Sequence, residues 1–378
     1  MAMGLRQAAG SVLVVGLGGT ELTGMERAWL KLVRPAGVIL FKRNVADAQQ
    51  TRTLIDEATQ FSGPHAVRSV DVEGGTVNRL RDALAPLPSA QAVGAACRMS
   101  GSMKVAREHG ELIARAVKAF GFNTSYAPVI DLGLPESAQV MGSRCAGSTW
   151  EETVAYARPF LEGFVREGVV SCGKHFPGLG GGVVDSHFET PEIRRSWRKL
   201  WNDDLAPYRD LNRAMPMVMV NHAAYPDTSG KNQPASASSF WITTVLRKKI
   251  GYRGLIVTDD LEMGGILKFL PVEEAAVAAI RAGGDLILIC HSAELILRAY
   301  EALLHEADRS AAFKNLLLAR SHDAGRKQAH LYKAPARALT AKQLAALKES
   351  ILRFGDRIIA QTQGDSIDPR AASPAEAT

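Results

Sequence analysis

The sequence predicts an α/β protein whose core is a closed (β/α)8 barrel of the TIM type, followed by extra C-terminal helices. Short apolar runs recur up to residue 292, and longer amphipathic segments separate them. Most of the runs are apolar on both faces, which is typical of parallel strands covered by helices on each side. Beyond residue 292 the pattern is purely helical. Eight alternating units favour a barrel, with a doubly wound open sheet as the alternative.

The strand candidates are short runs rich in Val, Ile and Leu. They occupy residues 11–17, 36–42, 67–72, 122–132, 168–176, 216–225, 254–260 and 284–292. Helix-like segments lie between them at residues 103–119, 149–166, 239–249 and 272–282. The second of these helices is introduced by STWEE, a Ser/Thr-x-x-Glu pattern that caps helix N-termini.

The chain is expected to divide into three parts. Residues 1–310 form the barrel, and residues 311–362 form C-terminal helices packed on it. Residues 363–378 are polar and rich in Pro, Ala and Ser, a composition that predicts a disordered tail.

Composition argues against several classes of protein. With 46% hydrophobic and 22% charged residues, the 378-residue chain has the balance of a globular protein. Its net charge of +6 is not gathered into Lys/Arg blocks, so no nucleic-acid partner is expected. No run approaches the roughly 18 apolar residues of a membrane span. Four scattered cysteines show no metal or disulfide spacing, which fits a cytoplasmic location.

Polar residues that end the apolar runs are the first functional candidates, because barrels carry their chemistry at the C-terminal ends of the strands. These residues are Asp71, Glu73, Asp131, Lys174, His175, His222, Asp259, Asp260 and His291.

One loop, CGKHFPGLGGGVVDSHFETP at residues 172–191, holds the densest group of reactive side chains. In an extended or turn segment, Asp185 can hydrogen-bond one nitrogen of His187 and leave the other free to move a proton. The alternative is an aspartate that caps a turn beside a surface histidine. The glycine run fails the G-x-G-x-x-G pattern and lacks the Lys-Ser/Thr of a phosphate-binding loop, which argues against a nucleotide site.

A proton shuttle needs a nucleophile, and the sequence offers a carboxylate pair. No G-x-S-x-G or H-E-x-x-H pattern occurs, so neither an activated serine nor a metal is expected. Asp259 and Asp260 end the run GLIVTDD. Successive strand side chains point oppositely, so one of the two can be a nucleophile. The other, Asp260, is expected to cap the helix that follows.

Together these segments resemble the single-domain bacterial β-N-acetylhexosaminidases of glycoside hydrolase family 3. The resemblance runs from about residue 12 to 300 and rests on GVILFKRN, DVEGGTVNRLRDALAPLPSA, APVIDL, GSRCAG, KHFPG…DSH and GYRGLIVTDDLEM. It implies a cytoplasmic glycoside hydrolase that removes terminal β-linked N-acetylglucosamine from peptidoglycan fragments, without cofactor or metal.

The resemblance also assigns roles to individual residues. Asp259 matches the nucleophile, His187 the general acid/base and Asp185 its orienting partner. The residues that match sugar-binding positions are Asp71, Arg79, Arg144, Lys174, His175 and, less closely, His222. The implied mechanism is a retaining double displacement through a covalent glycosyl-aspartate.

The chain departs from the family pattern mainly in the loop, where Leu179 replaces a histidine and Gly181 an aspartate. Three alternatives therefore stay open. The first is a phosphorylase, in which phosphate replaces water, and the second is hydrolysis assisted by the substrate's own N-acetyl oxygen. The third is a non-catalytic carbohydrate-binding protein on the same scaffold. The sequence leaves the oligomeric state undetermined.

Overall fold

The computed structural model describes residues 4–182, 190–332 and 336–362. Eight parallel strands in these segments close into a barrel in which each strand pairs with its sequence neighbours and the last pairs with the first. The strands are β1 Leu13–Gly16, β2 Gly37–Leu40, β3 Val67–Val70, β4 Thr124–Ser125, β5 Val170–Phe176, β6 Met217–Val220, β7 Leu255–Asp260 and β8 Leu286–Ile289. The predicted barrel is confirmed, and all eight strand candidates contain a strand.

Helices surround the barrel and continue beyond it. Their bounds are Leu5–Gly10, Gly24–Val33, Ala48–Thr59, Ala90–Ser100, Lys104–Ala119, Ala138–Met141, Trp150–Glu167, Trp197–Asn202, Ala206–Asp210, Phe240–Lys249, Gly264–Leu267, Val272–Ala282, Ala293–Arg309, Ala311–Leu331 and Ala341–Gln361. Phe240–Lys249 has π-helical hydrogen bonding. The predicted cap at STWEE is present, because the Thr149 side chain accepts a hydrogen bond from the backbone N–H of Glu152.

Two packed layers follow from the alternation of side chains along each strand. In β7, Leu255 and Val257 face the barrel interior, where they pack with residues such as Cys172 of β5. Ile256 faces outward and joins the larger core between the strands and the helices. The interior is therefore filled by side chains, which leaves the ends of the strands as the places where a ligand can bind.

The C-terminal helices pack on two different sides of the barrel. Ala311–Leu331 is tied to the N-terminal end of the strands, where Lys327 pairs with the buried Asp285. Ala341–Gln361 lies against the helix Lys104–Ala119, and its Phe354 stacks on His109. Among the described residues, no helix is both long and apolar enough to cross a membrane. The predicted tail, residues 363–378, lies outside the described residues.

Candidate active site

The predicted site residues that the structure describes lie mainly on loops and strand ends at one end of the barrel. Asp71 directly follows β3, Lys174 and His175 belong to the last part of β5, and Asp259 belongs to the last part of β7. His222 comes two residues after β6. Because the strands are parallel, these C-terminal ends share one mouth, as the sequence predicted.

Lys174 and His175 are adjacent in β5, yet both side chains bind residues at the mouth. The register of β5 against β6 shifts between Gly173 and Phe176. Such an irregularity redirects side chains that would otherwise alternate across the strand.

A chain of ion pairs at the mouth joins the segment after β3 and the segment after β4 to the end of β5. Lys174 Nζ lies 2.8 Å from Asp71 Oδ1 and 2.5 Å from Glu73 Oε1. Arg144 grips the same Glu73 carboxylate in a bidentate pair, with Nε 2.9 Å from Oε2 and Nη2 2.9 Å from Oε1. The Glu73 side chain is only 3% exposed. The fork geometry and the burial make this a rigid charged network.

The network fixes the ionisation of its members. Burial alone would raise the pKa of Glu73, but the charges of Arg144 and Lys174 outweigh it and hold that pKa well below its usual value. Burial would likewise lower the pKa of Lys174, and the carboxylates of Asp71 and Glu73 reverse the effect and raise it. We therefore treat Glu73 as a permanent carboxylate and Lys174 as a permanent cation near neutral pH.

Glu73 reaches this position because of a tight hairpin after β3. Val72–Gly74 pairs with Val77–Asn78 in an antiparallel turn. Gly74 has φ of 95°, and a Cβ at this position would lie 2.1 Å from the carbonyl oxygen of Pro88. Only glycine fits that backbone conformation and that close approach.

His175 continues the chain of contacts toward Leu179, which precedes the predicted acid/base dyad in the sequence. Its Nδ1 lies 2.7 Å from Asp131 Oδ2, and its Nε2 lies 3.2 Å from Arg144 Nη2. A carboxylate only accepts and a guanidinium only donates, so Nδ1 carries the proton and Nε2 is the acceptor. Asp131 Oδ1 also accepts the backbone N–H of Leu179 at 2.7 Å.

Asp259 lies in the last part of β7, where the pairing with β8 shifts register between Val257 and Asp260. The alternation that places Leu255 and Val257 in the barrel interior is therefore interrupted before Asp259. Its charge is felt by the interior thiol of Cys172. Burial raises the pKa of Cys172, Asp71 and Asp259 raise it further, and Lys174 acts in the opposite direction. The candidate nucleophile and the Asp71–Lys174 pair therefore all act electrostatically on the same buried thiol.

Asp260 faces a different neighbourhood from Asp259. Its Oδ1 accepts the backbone N–H of Glu262 at 3.1 Å, and the nearby helix begins only at Gly264, where no side chain caps it. The predicted helix cap is therefore wrong, because the chain makes a turn first. Burial and the neighbouring Glu262 carboxylate raise the pKa of Asp260.

His222 is fully buried beside that turn. Its Nδ1 lies 2.7 Å from Ser236 Oγ and its Nε2 lies 2.9 Å from the Asp260 carbonyl oxygen. These contacts fix the ring between β6 and β7.

Arg79, the remaining sugar-binding candidate, places its guanidinium 5.7 Å from the centroid of Phe41, and its buried Nε has no hydrogen-bond partner among the described residues.

One group among the described residues has the composition of a metal site. The ligand atoms of Asp260, Glu262 and His291 lie within 4.8 Å of one another. Glu262 already accepts backbone N–H groups, including those of Cys290 and Ser292, and Arg43 Nη1 lies 3.1 Å from His291 Nδ1. A guanidinium so close to a ligand nitrogen disfavours a divalent cation.

A comparison with known families identifies the family to which the chain belongs. Residues 7–315 match the family model described as "Glycosyl hydrolase family 3 N terminal domain". The chain belongs to glycosyl hydrolase family 3. It is therefore a glycoside hydrolase, and the resemblance inferred from the motifs is confirmed.

Curated relatives and solved structures agree with this membership. A "Beta-hexosaminidase" of Idiomarina loihiensis is 35% identical over 74% of this chain and 83% of its own length. A β-N-acetylglucosaminidase of family 3 from Paenibacillus sp. has a TM-score of 0.83 at 32% identity, over 93% of this chain and 69% of its own. NagZ from Neisseria gonorrhoeae has a TM-score of 0.77 at 28% identity, over 93% and 98%.

Two parts of the predicted site have different outcomes. Asp185 and His187 lie outside the described residues, so the acid/base assignment stays a prediction. Glu73 and Asp131 were noted from the sequence only as polar residues ending apolar runs, without a role. Glu73 is the buried carboxylate that binds Lys174 and Arg144, and Asp131 is the one that binds His175 and the backbone N–H of Leu179. No local sequence pattern indicates their burial or these long-range pairs.

Proposed function

We propose that this family 3 glycoside hydrolase is a retaining β-N-acetylhexosaminidase that removes terminal β-linked N-acetylglucosamine from cytoplasmic peptidoglycan fragments. The observation that carries the proposal is the Asp71–Lys174–Glu73–Arg144 network at the C-terminal ends of the barrel strands, the end at which Asp259 also lies. Relatives named β-hexosaminidase, and a NagZ structure in complex with N-trifluoroacetyl-D-glucosamine, support the same substrate class.

The proposed reaction has two steps. A carboxylate oxygen of Asp259 attacks the anomeric carbon, the glycosidic C–O bond breaks, and His187 gives its proton to the leaving oxygen. Asp185 holds the imidazole of His187 in the orientation that this transfer requires. Water then attacks the anomeric carbon, His187 takes the proton of that water, and the Asp259 carboxylate is released.

The charges of the mouth favour the positive transition state of this reaction. The network joins three carboxylates, Asp71, Glu73 and Asp131, to two cations, Lys174 and Arg144, and His175 links Asp131 to Arg144 through its two ring nitrogens. Within this network three carboxylates and two cations leave one negative charge; nearby, Asp259 adds a negative charge and Arg79 a positive one. Preorganised negative charge stabilises a developing oxocarbenium ion. The remaining polar atoms of Asp71 and Lys174 are suited to the hydroxyl groups of a sugar.

The proposal is tested by the initial rate on an aryl N-acetyl-β-glucosaminide at neutral pH, with and without added phosphate. We expect turnover that does not depend on phosphate and free N-acetylglucosamine as the product. A rate that requires phosphate and yields the sugar 1-phosphate would instead identify a phosphorylase. Binding of the sugar with no turnover above the Asp259→Ala variant would identify a binding protein.

The assignment of roles predicts different behaviour for two variants. Asp259→Ala should lose nearly all activity, by at least about 10³-fold in kcat, because the covalent step has no nucleophile. His187→Ala should keep more of its activity on substrates with good leaving groups, because their departure needs little protonation. The measurement is kcat for a series of aryl glycosides of decreasing leaving-group pKa. Equal, mild losses in both variants would contradict the assignment.

The intermediate distinguishes this mechanism from substrate-assisted hydrolysis. A slow 5-fluoro N-acetylglucosaminyl substrate, which keeps the 2-acetamido group, should leave a sugar covalently attached to Asp259, detectable by mass spectrometry of the peptide. If the sugar is instead released as an oxazoline with no labelled peptide, the internal N-acetyl oxygen is the nucleophile.

A further inference from the structure

We propose that Asp131 is a positioning residue that couples the sugar-binding network to the base of the loop carrying the acid/base. This inference rests on the proposed function, because it assigns a role in the same reaction. The Asp131 side chain, which is fully buried, does not line the mouth itself. It acts through the residues that it holds.

Asp131 reaches this position through the pairing of β5 with the segment that follows β4. Val129 forms a parallel bridge with Lys174, and the backbone N–H of Ile130 donates to the Lys174 carbonyl at 2.8 Å. This pairing sets Asp131 directly beside His175. The position is fixed by backbone hydrogen bonds, which are less adaptable than side-chain contacts.

Three donors from two residues of the segment 175–179 converge on the Asp131 carboxylate. Oδ2 accepts the backbone N–H of His175 at 3.0 Å and the ring Nδ1–H of the same residue at 2.7 Å. Oδ1 accepts the backbone N–H of Leu179 at 2.7 Å. Both oxygens are therefore occupied, and each holds a different element.

The His175 contact determines how the sugar-binding network is oriented. Because Nδ1 donates to Asp131, Nε2 of His175 can accept from Arg144, which in turn grips Glu73 and thereby Lys174. The opposite tautomer would place an N–H against the N–H of Arg144. Asp131 thus selects the only tautomer that the guanidinium accepts.

The contact between Asp131 and the backbone N–H of Leu179 holds the base of the loop. Leu179 is the fifth residue after Lys174 in KHFPGL, and it leads into the glycine run before the predicted acid/base dyad. Its side chain is buried, and the preceding Gly178 is held by its carbonyl oxygen, which accepts from the Tyr225 hydroxyl at 2.7 Å. The base of the loop is therefore fixed at residues 178–179, and one of its two anchors is the carboxylate that also orients His175.

The substitution Asp131→Asn breaks this arrangement with almost no change in volume. An amide offers one acceptor oxygen and one donor group where three donors converge. If the amide oxygen faces His175, the NH2 group opposes the Leu179 N–H. If the oxygen faces Leu179, the NH2 group opposes the His175 Nδ1–H, and the ring is driven to the tautomer that Arg144 rejects.

The matched control is Asp285→Asn at the opposite end of the barrel. Asp285 is also fully buried, and its Oδ2 also accepts three donors, from Ile256 N at 2.9 Å, Arg247 Nη2 at 2.6 Å and Lys327 Nζ at 3.1 Å. It lies before β8 and far along the strands from the mouth. The two variants remove the same chemical group from equally buried sites.

The experiment compares kcat and KM on an aryl N-acetyl-β-glucosaminide for both variants, together with their thermal unfolding. We expect Asp131→Asn to lose roughly 100-fold in kcat/KM, with kcat falling as well as KM rising, because His175 and the backbone at Leu179 both lose the group that holds them. Asp285→Asn should lose thermal stability but stay within about threefold of the wild type in kcat/KM. An Asp131→Asn enzyme within threefold of the wild type would overturn the proposal.

A second measurement holds even if Asp131→Asn does not fold, and even if the wild type proves inactive on the glycoside. The ring 15N shifts of His175, assigned by comparison with His175→Ala, report its tautomer in the wild type. We expect a protonated Nδ1 and an unprotonated Nε2 at pH 7. An Nε2-protonated ring would overturn the role of Asp131 and leave the proposed hydrolase activity untouched, whereas absent turnover with the expected tautomer would count against the activity alone.

Discussion

Glu73 shows at the scale of one residue how a buried carboxylate controls charges that face the substrate. It is the shared counter-ion of Lys174 and Arg144, and its side chain is almost wholly buried. If Glu73 were uncharged, Lys174 and Arg144 would remain poorly solvated and each would have one carboxylate partner fewer. Removing one member of a buried ion pair costs about 3–5 kcal/mol, because the remaining charge is left uncompensated.

We predict that Glu73→Gln lowers kcat/KM on an aryl N-acetyl-β-glucosaminide by about 10²-fold or more, since Lys174 and Arg144 shift toward other acceptors. The control is Glu26→Gln, which removes a buried capping-box carboxylate after β1. That variant should lose about 1 kcal/mol of stability and keep its activity. Similar kinetic losses in both variants would mean that Glu73 has no special link to the site.

Some residues of the candidate site could be predicted from the sequence, whereas the contacts between them could not. Strand alternation indicated that only one of Asp259 and Asp260 could be a nucleophile, and the family resemblance selected Asp259. Asp71, Lys174 and His175 became candidates because each ends an apolar run. The contact between Arg144 and Glu73 joins residues 71 positions apart, and no local pattern encodes it. A sequence motif indicates which residue types occur at the site, whereas the pairing that decides their charge depends on the closed barrel.

At the scale of elements, the helix Ala341–Gln361 is attached to the barrel through an uncharged histidine. His109 is buried on the helix Lys104–Ala119, its Nδ1 lies 3.0 Å from the Tyr156 hydroxyl, and its ring stacks on Phe354 at 5.8 Å between centroids. Burial lowers the pKa of His109 to about 3, and a backbone hydrogen bond to Pro88 opposes this only in part. The packing of the helix Ala341–Gln361 on the barrel therefore favours the neutral form of the His109 ring.

This pKa predicts a definite dependence of stability on pH. An unfolded histidine titrates near 6.5, so between that pH and about 3 the unfolded chain binds one proton more than the folded chain. The contribution of neutral His109 is complete above about pH 6.5 and is lost as the pH falls, by up to about 1.4 kcal/mol per pH unit.

The measurement is the free energy of unfolding by urea at pH 7 and pH 5, for the wild type and for His109→Gln. The stability advantage of the wild type should shrink by about 2 kcal/mol between the two values. Phe354→Leu is the control, because it weakens the same contact without removing the titrating group. An advantage that is constant with pH in the His109→Gln comparison would show that the ring is not held neutral.

Helix positions were predicted well because amphipathic spacing and caps are local. The predicted segment 272–282 coincides with the helix Val272–Ala282, and the predicted segment 149–166 differs from the helix Trp150–Glu167 by one residue at each end. The helix after β7 was predicted too early, since Asp260 forms a turn and not a cap. A carboxylate before an apolar segment is compatible with both structures, and only the path of the backbone distinguishes them.

At the scale of the whole molecule, the end of the barrel opposite the mouth is closed by the chain's own C-terminal part. Tyr332 accepts a hydrogen bond from Thr124 Oγ1 of β4 at 3.1 Å, and Ser321 Oγ lies 2.6 Å from Ser11 Oγ. Asp285 binds Arg247 from the barrel helices and Lys327 from Ala311–Leu331. The sequence predicted helices here but not this closure, because its partners come from both ends of the chain.

We predict that this closure makes the barrel and the helix Ala311–Leu331 unfold as one unit. Asp285→Ala should lower the free energy of unfolding by about 3 kcal/mol, because Arg247 and Lys327 lose a buried counter-ion, although their own partial exposure reduces the cost. Urea unfolding followed by both helical circular dichroism and tryptophan fluorescence should show coincident transitions in the wild type. In Asp285→Ala the helical signal should begin to fall at lower urea, because the helix is then less firmly tied to the floor of the barrel. Unchanged stability in this variant, or two separate transitions in the wild type, would mean that the C-terminal helices fold independently of the barrel that carries the active site.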